Sequence, residues 1–216
     1  MTPWVADGTS IPTIASHRRA MSARPRPTGR ARTASTSRCA PISPLPELFW
    51  GGQTDMSCME DAVGGLEQAA YAHHIQRLML FGNLMMLIGA DPREAFDWFH
   101  ESFIDGYEWV MAANVYAMGL FADGGRMFTK PYAAGGRYVD RMSDYCGDCR
   151  YYPTKRTGED ACPFSFLYWD FLDRHSESLR GNRRLNMPYR NLDRMDPADM
   201  REIRRRGQAL RERFDA

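Results

Sequence analysis

The chain has 216 residues and a mass of 24.7 kDa, is 44% hydrophobic and 25% charged, and so fits one domain, or one domain with a tail, and argues against full disorder. Its net charge of +1 is unevenly placed: residues 1–45 hold seven Arg and one acidic residue, for +6; residues 46–200 hold 15 basic and 23 acidic, for −8; residues 201–216 hold six Arg and three acidic, for +3. An acidic core excludes uniform polycation binding to nucleic acid, so any such contact must use a local patch.

Residues 1–45 are rich in Arg, Pro, Ser and Thr, and Ala20 to Arg38 has almost no apolar residue. Such a stretch cannot bury enough surface to offset chain entropy and is expected to be disordered. Three readings compete: a basic arm for nucleic acid, an organelle transit peptide, or a non-native leader from a mis-set start or shifted frame. Cys39 has no assigned role. From Pro46 onward the pattern is that of a packed, mainly α domain. Asp55 to Ala90 reads as one long helix or two joined ones, broken near Gly64-Gly65. The segment Leu78–Ala90 is interrupted by Asn83 and falls short of the roughly 18 apolar residues a membrane span needs, so it reads as a buried helix. Asp91-Pro92-Arg93-Glu94 is a helix start, with Asp91 as N-cap, Pro92 at the first position and Glu94 closing a capping box. A helical run over about 104–121 follows, then a Gly-rich loop over 122–137. Short helices are expected at about 137–145 and 163–179, and Asp196-Pro197 opens a last, Arg-rich helix. Strand patterns are nearly absent.

Five Cys are too few and too odd in number for a secreted disulfide scaffold, so a reducing cytosol is the default and metal or cluster binding the interesting role. Cys146-Gly147-Asp148-Cys149 is a CxxC, Cys162-Pro163 follows, and Cys58 is the remaining core Cys. Four thiolates complete a [4Fe–4S] set, and a Cys-Pro pair accompanies cluster ligation in known runs. A four-Cys zinc site uses the same ligands, a redox pair is a third option, and a buried free thiol is the bland alternative for each. His73 and His74 are adjacent on a helix that turns apolar. They point about 100° apart, so at most one faces a given pocket. A packed core histidine is the plainer reading, and a proton donor near neutral pH the sharper one. Arg77 follows within a turn of both, with Asp105 available as its carboxylate partner. The aromatic residues Trp50, Trp98, Trp109 and Trp169 fit simple packing as well as electron carriage.

The blocks PELFWGGQTDMSC, YAHHIQRLM, FIDGYEWVMAANV, ADGGRMFTKPYAAGGRYVDRMSDYCGDCRY and ACPFSFLYWDFLDRH together carry a resemblance. Residues 46 to about 197, some 150 of the 216, resemble the C-terminal FAD-binding helical domain of the prokaryotic iron–sulfur photolyases and cryptochromes, whose characterised members repair (6-4) photoproducts in DNA. The resemblance implies a [4Fe–4S] cluster on Cys58, Cys146, Cys149 and Cys162, and FAD beside an Arg77–Asp105 ion pair with Asn114 adjoining. It implies that His74, with His73 beside it, faces the lesion, that Tyr132 and Tyr138 line the same pocket, and that Trp98 and Trp50 match the photoreduction chain. Position 99, commonly Tyr in relatives, is Phe99 here. The implied chemistry is light-driven electron transfer from reduced FAD to a flipped-out lesion, with a proton from His74. UV-damaged DNA would be held by Lys130, Arg126, Arg137 and Arg141, with Arg183, Arg184 and Arg190. The implied protein is a cytoplasmic monomer with no membrane partner. A blue-light receptor without repair activity, and a non-catalytic Fe–S module that binds nucleic acid, are the alternatives. The family's N-terminal α/β antenna domain has no counterpart in these 216 residues, which favours the leader reading of residues 1–45 and a truncated copy.

Overall fold

The computed structural model describes residues 45–215; the readings of the 1–45 segment (Leu45 apart) and of Cys39 lie outside them. The described residues form nine α-helices and two short 3-10 turns, with an isolated bridge between Tyr152 and Ala161. After a turn at Glu47–Trp50 come α1 (Ser57–Ala69), α2 (74–88), α3 (Pro92–Ser102), α4 (108–119), α5 (Gly136–Met142), α6 (Pro163–Arg174), α7 (Ser176–Leu179), α8 (Asn186–Asp193) and α9 (Pro197–Asp215).

The mainly helical expectation holds, and several boundaries move. Helix α1 runs straight through Gly64-Gly65. Neither glycine's missing side chain would meet a neighbour, so nothing there forces a break. The chain breaks instead at Ala70, whose φ of 49° ends α1 in the left-handed region. The Ala70 carbonyl then accepts the Ile104 backbone N–H at 2.8 Å, which fastens this break to the loop that precedes α4. That loop is why α4 begins at Glu108 rather than near 104. Asp91 caps α3 as expected, accepting the Arg93 N–H at 2.7 Å with Pro92 in the first turn. Glu94 accepts the Leu45 N–H at 2.8 Å and holds the start of the described chain against α3.

Two stretches of wider, π-type helix lie inside α2 (Arg77–Gly82) and α4 (Ala113–Gly119). Nothing in the periodicity announces them. They meet at glycines: a Cβ on Gly82 would lie 3.4 Å from the Gly119 Cα. The two backbones therefore pass close, and such widened turns recur at functional sites. The centre of the core is aromatic. Trp98 is fully buried, sits edge-on to Phe49, Phe81 and Phe103 at 5.2–5.7 Å between centroids, and gives its indole N–H to the Phe49 carbonyl at 2.9 Å. The last helix joins this core where α6 packs on α9 through Asp170, 1% exposed, which receives Arg174 at 2.8 Å and also binds Arg211.

Candidate functional site

Two cavities stand out among the described residues. The larger, about 260 Å³, is formed by α2, α4, the end of α3 and the loop before α4. Its walls are mostly apolar (Leu78, Val110, Met111, Val115, Met118, Leu120) with the flat ring of Phe99 among them. Its polar groups are few: the Arg77–Asp105 pair, Asn114 and His74. A mostly apolar slot with a handful of convergent polar groups is the environment that takes a flat heteroaromatic ligand.

The ion pair expected from sequence is present and bidentate, with Arg77 Nη1 to Asp105 Oδ1 at 2.8 Å and Nη2 to Oδ2 at 3.0 Å. Arg77 also gives its Nε–H to the Ala72 carbonyl at 2.7 Å and lies against the rings of Tyr71 and Phe103, 4.9 and 4.2 Å from their centroids. Tyr71 and Phe103 are contributors that sequence reasoning missed. Tyr71 stands within a motif block, but its ring contact follows from the chain break at Ala70. The structure separates the two histidines. His74 lines the cavity, whereas His73 caps the helix: its Nδ1 accepts the Ile75 N–H at 3.2 Å. Trp98 stands behind Phe99, 4.9 Å between centroids, and Trp50 is half-buried against the core next to Phe49. Tyr132, exposed, and Tyr138, half-buried, are not among the residues lining this cavity.

The smaller cavity is lined by all four core cysteines, with Tyr145, Tyr151 and apolar neighbours. Cys58 lies in the first turn of α1 and Cys162 at the N-cap of α6, so two helix N-termini face it and favour negative charge there. Cys146 and Cys149 come from the intervening loop, half-buried. Burial pushes the Cys58 thiol far above its ordinary value, with Cys162, Cys149 and Cys146 adding to it; burial, Cys162, Asp140 and Cys149 push Cys146 up to about 11. Clustered thiols of this kind ionise together only with a compensating cation. Gly136 packs against Cys162, where a Cβ would fall 2.8 Å from the sulfur. Among the described residues, no three His, Cys, Asp or Glu side chains stand in an arrangement that could hold a metal ion.

The basic residues named from sequence are exposed: Arg126, Lys130, Arg137, Arg141, Arg183, Arg184 and Arg190. The loop carrying Lys130 and Tyr132 is held by side chains. Asp123 accepts the Gly125 and Met127 N–H groups, Asn182 donates to the Thr129 carbonyl at 2.6 Å, and Asn83 exchanges two bonds with Ala134. The Asn182 bond ties the segment that carries Lys130 to the one that carries Arg183 and Arg184.

No family model matches the chain. A (6-4) photolyase of Agrobacterium fabrum is 48% identical over 171 residues, covering 79% of this chain and 34% of that protein, so the chain spans about a third of its length. An uncharacterized protein of Acanthamoeba polyphaga mimivirus is 36% identical over 107 residues, which is 50% of this chain and 80% of that protein. The likeness extends over most of the described helices, the helical architecture agrees with it, and the chain belongs to the photolyase family, corresponding to its C-terminal helical domain.

Proposed function

We propose that this domain serves light-driven repair of UV photoproducts in DNA, of the (6-4) type, with FAD in the α2–α4 cavity and a [4Fe–4S] cluster on Cys58, Cys146, Cys149 and Cys162. The observation that carries the reading is the cavity itself: an apolar slot with a bidentate Arg77–Asp105 pair and Asn114 at its polar side and His74 on its wall. FAD, reduced and excited by blue light, supplies an electron donor at that position.

The chain's own residues do the rest. Arg77 and Asp105 offer a fixed donor and acceptor edge to a flat ring, and the apolar walls exclude water, which strengthens those contacts. His74, as imidazolium, gives a ring N–H proton to the lesion. Behind Phe99, which is much harder to oxidise than Tyr, Trp98 and Trp50 are the oxidisable rings. The exposed Lys130, Arg126, Arg137, Arg141, Arg183, Arg184 and Arg190 hold phosphates while the damaged bases leave the duplex, and Tyr132 and Tyr138 meet the nucleic acid outside the cavity.

A cluster and a single ion differ in the sulfur spacing they require. A tetrahedral zinc site needs its sulfurs about 3.8 Å apart, as Zn–S bonds of about 2.3 Å require. A cubane takes one thiolate per iron and spreads them further. All four thiols line one cavity, which supports a shared ligand, and the choice of a cluster over one ion rests on the family likeness.

The test is anaerobic reconstitution of the full chain with ferrous iron and sulfide, a flavin titration, and illumination with duplex DNA carrying one (6-4) lesion. Bound flavin, four irons per chain and light-dependent restoration are expected, and His74→Ala abolishes restoration while flavin stays bound. One zinc per chain in place of iron overturns the cluster. Flavin binding without restoration leaves a photoreceptor, and no flavin binding removes the light reaction altogether.

A further inference from the structure

A chain of hydrogen bonds with fixed directions runs from the wall of the cysteine cavity to the helix start that bears His74. Tyr145 lines the cysteine cavity beside Cys146, and Asp61 stands one turn after Cys58 on α1. The Tyr145 hydroxyl donates to Asp61 Oδ2 at 2.9 Å. Its single proton is thereby committed, leaving a lone pair, and that lone pair accepts from Gln76 Nε2 at 3.1 Å. With its amino group so turned, Gln76 presents Oε1 to the His73 backbone N–H, which it receives at 3.0 Å. The His73 ring in turn accepts from the Ile75 N–H. His74, on the wall of the other cavity, is therefore the first residue of a helix whose start is held by Gln76, and Gln76 is oriented by a hydroxyl over the cysteines.

We propose that Tyr145 and Gln76 are positioning residues, which fix the helix start bearing His74 to the wall of the cysteine cavity. The proposal rests on the reading that His74 serves the reaction in the α2–α4 cavity. A phenylalanine would fill the space of Tyr145 as well as the tyrosine does, and a pattern of apolar positions cannot distinguish them. The parity of donors and acceptors from Asp61 to His73 requires the hydroxyl.

The test uses the full chain labelled with ring-¹³C,¹⁵N-histidine, with His74 assigned by His74→Gln, in wild type, Tyr145→Phe, Gln76→Met and the double variant. The His74 ring resonances are expected to shift or broaden in Tyr145→Phe, while those of His175, buried at the α6–α7 junction and lining neither cavity, stay in place and report an intact fold. The double variant is expected to move His74 no further than Gln76→Met does, because both substitutions cut one path. In the repair assay Tyr145→Phe is expected to lower kcat about tenfold with KM little changed. His74 resonances that coincide with wild type in Tyr145→Phe, or effects of the two single substitutions that simply add, overturn the proposal. If repair is absent in wild type the proposed function fails, while the resonances still decide the link.

Discussion

At the scale of single residues, the most perturbed histidine is not at a cavity. His175 is 7% exposed at the junction of α6 and α7, and burial, then Arg174, then Arg211 push it down to about 4. Arg174 Nη1 lies 3.5 Å from its Nε2, and Asp170 holds both arginines nearby. A neutral ring folded and an ordinary ring unfolded means that the unfolded chain binds more protons as pH falls below about 6.5. The stability contribution is complete above that value and is lost progressively toward pH 4, by up to about 3 kcal/mol. Thermal melts from pH 7 to 4 are expected to show a falling Tm, and His175→Phe to flatten that fall. The Arg77–Asp105 pair makes the second residue-scale prediction. Asp105→Asn keeps the shape and removes the charge. Because Asp105 is 45% exposed, the stability loss stays at about 1 kcal/mol, below that of a buried pair. Flavin affinity, measured by fluorescence titration, is expected to fall by about tenfold.

At the scale of elements, the widened turns of α2 and α4 and the glycines where they meet shape the larger cavity. Gly82 and Gly119 both line it, so any side chain added at either position enters the seam between the two helices. Asn83, next along α2 and fully buried, acts in another way. Its amide gives a proton to the Ala134 carbonyl at 2.9 Å and takes one from the Ala134 N–H at 3.0 Å. This side chain interrupts the apolar run in the sequence, and it ties the 122–135 loop to the core helix. Asn83→Ala leaves two backbone groups without partners at a cost of about 2–4 kcal/mol. The denaturation midpoint is expected to fall, and the Ala134 amide to lose hydrogen-exchange protection. Unchanged protection would detach Asn83 from the loop.

At the scale of the whole molecule, the contact of α6 with α9 fastens the last helix to the core. Gly207 makes that approach possible, since a Cβ there would lie 2.8 Å from the Asp170 carboxyl carbon. Gly207→Ala must displace a carboxylate that binds two arginines and is expected to cost about 1–3 kcal/mol, read as a lower Tm. Asp170→Ala, which leaves two guanidinium groups without that partner, is expected to cost more, about 3–5 kcal/mol. Charge is also divided at this scale. Basic side chains of the 122–141 and 183–190 segments stand exposed on an otherwise acidic core, as its composition requires of any nucleic-acid contact. No helix among the described residues is long and apolar enough to cross a membrane.

The sequence by itself determined the helical class, the Asp91 and Asp196 helix starts, the four cysteines and the Arg77–Asp105 partnership. These follow from local chemistry: a cap and a proline act on their own turn, thiols invite a shared ligand, and a buried guanidinium calls for a carboxylate. Only the tertiary structure decided where α1 ends, that α2 and α4 widen where they meet, that His73 caps its helix, and that Asn83 and Tyr145 join segments far apart in the chain. Those outcomes depend on groups brought together from 51 or 69 positions away, and on backbones that approach only after packing. A periodicity of apolar residues records which face is buried, and it carries no record of the partner that a polar side chain will find there.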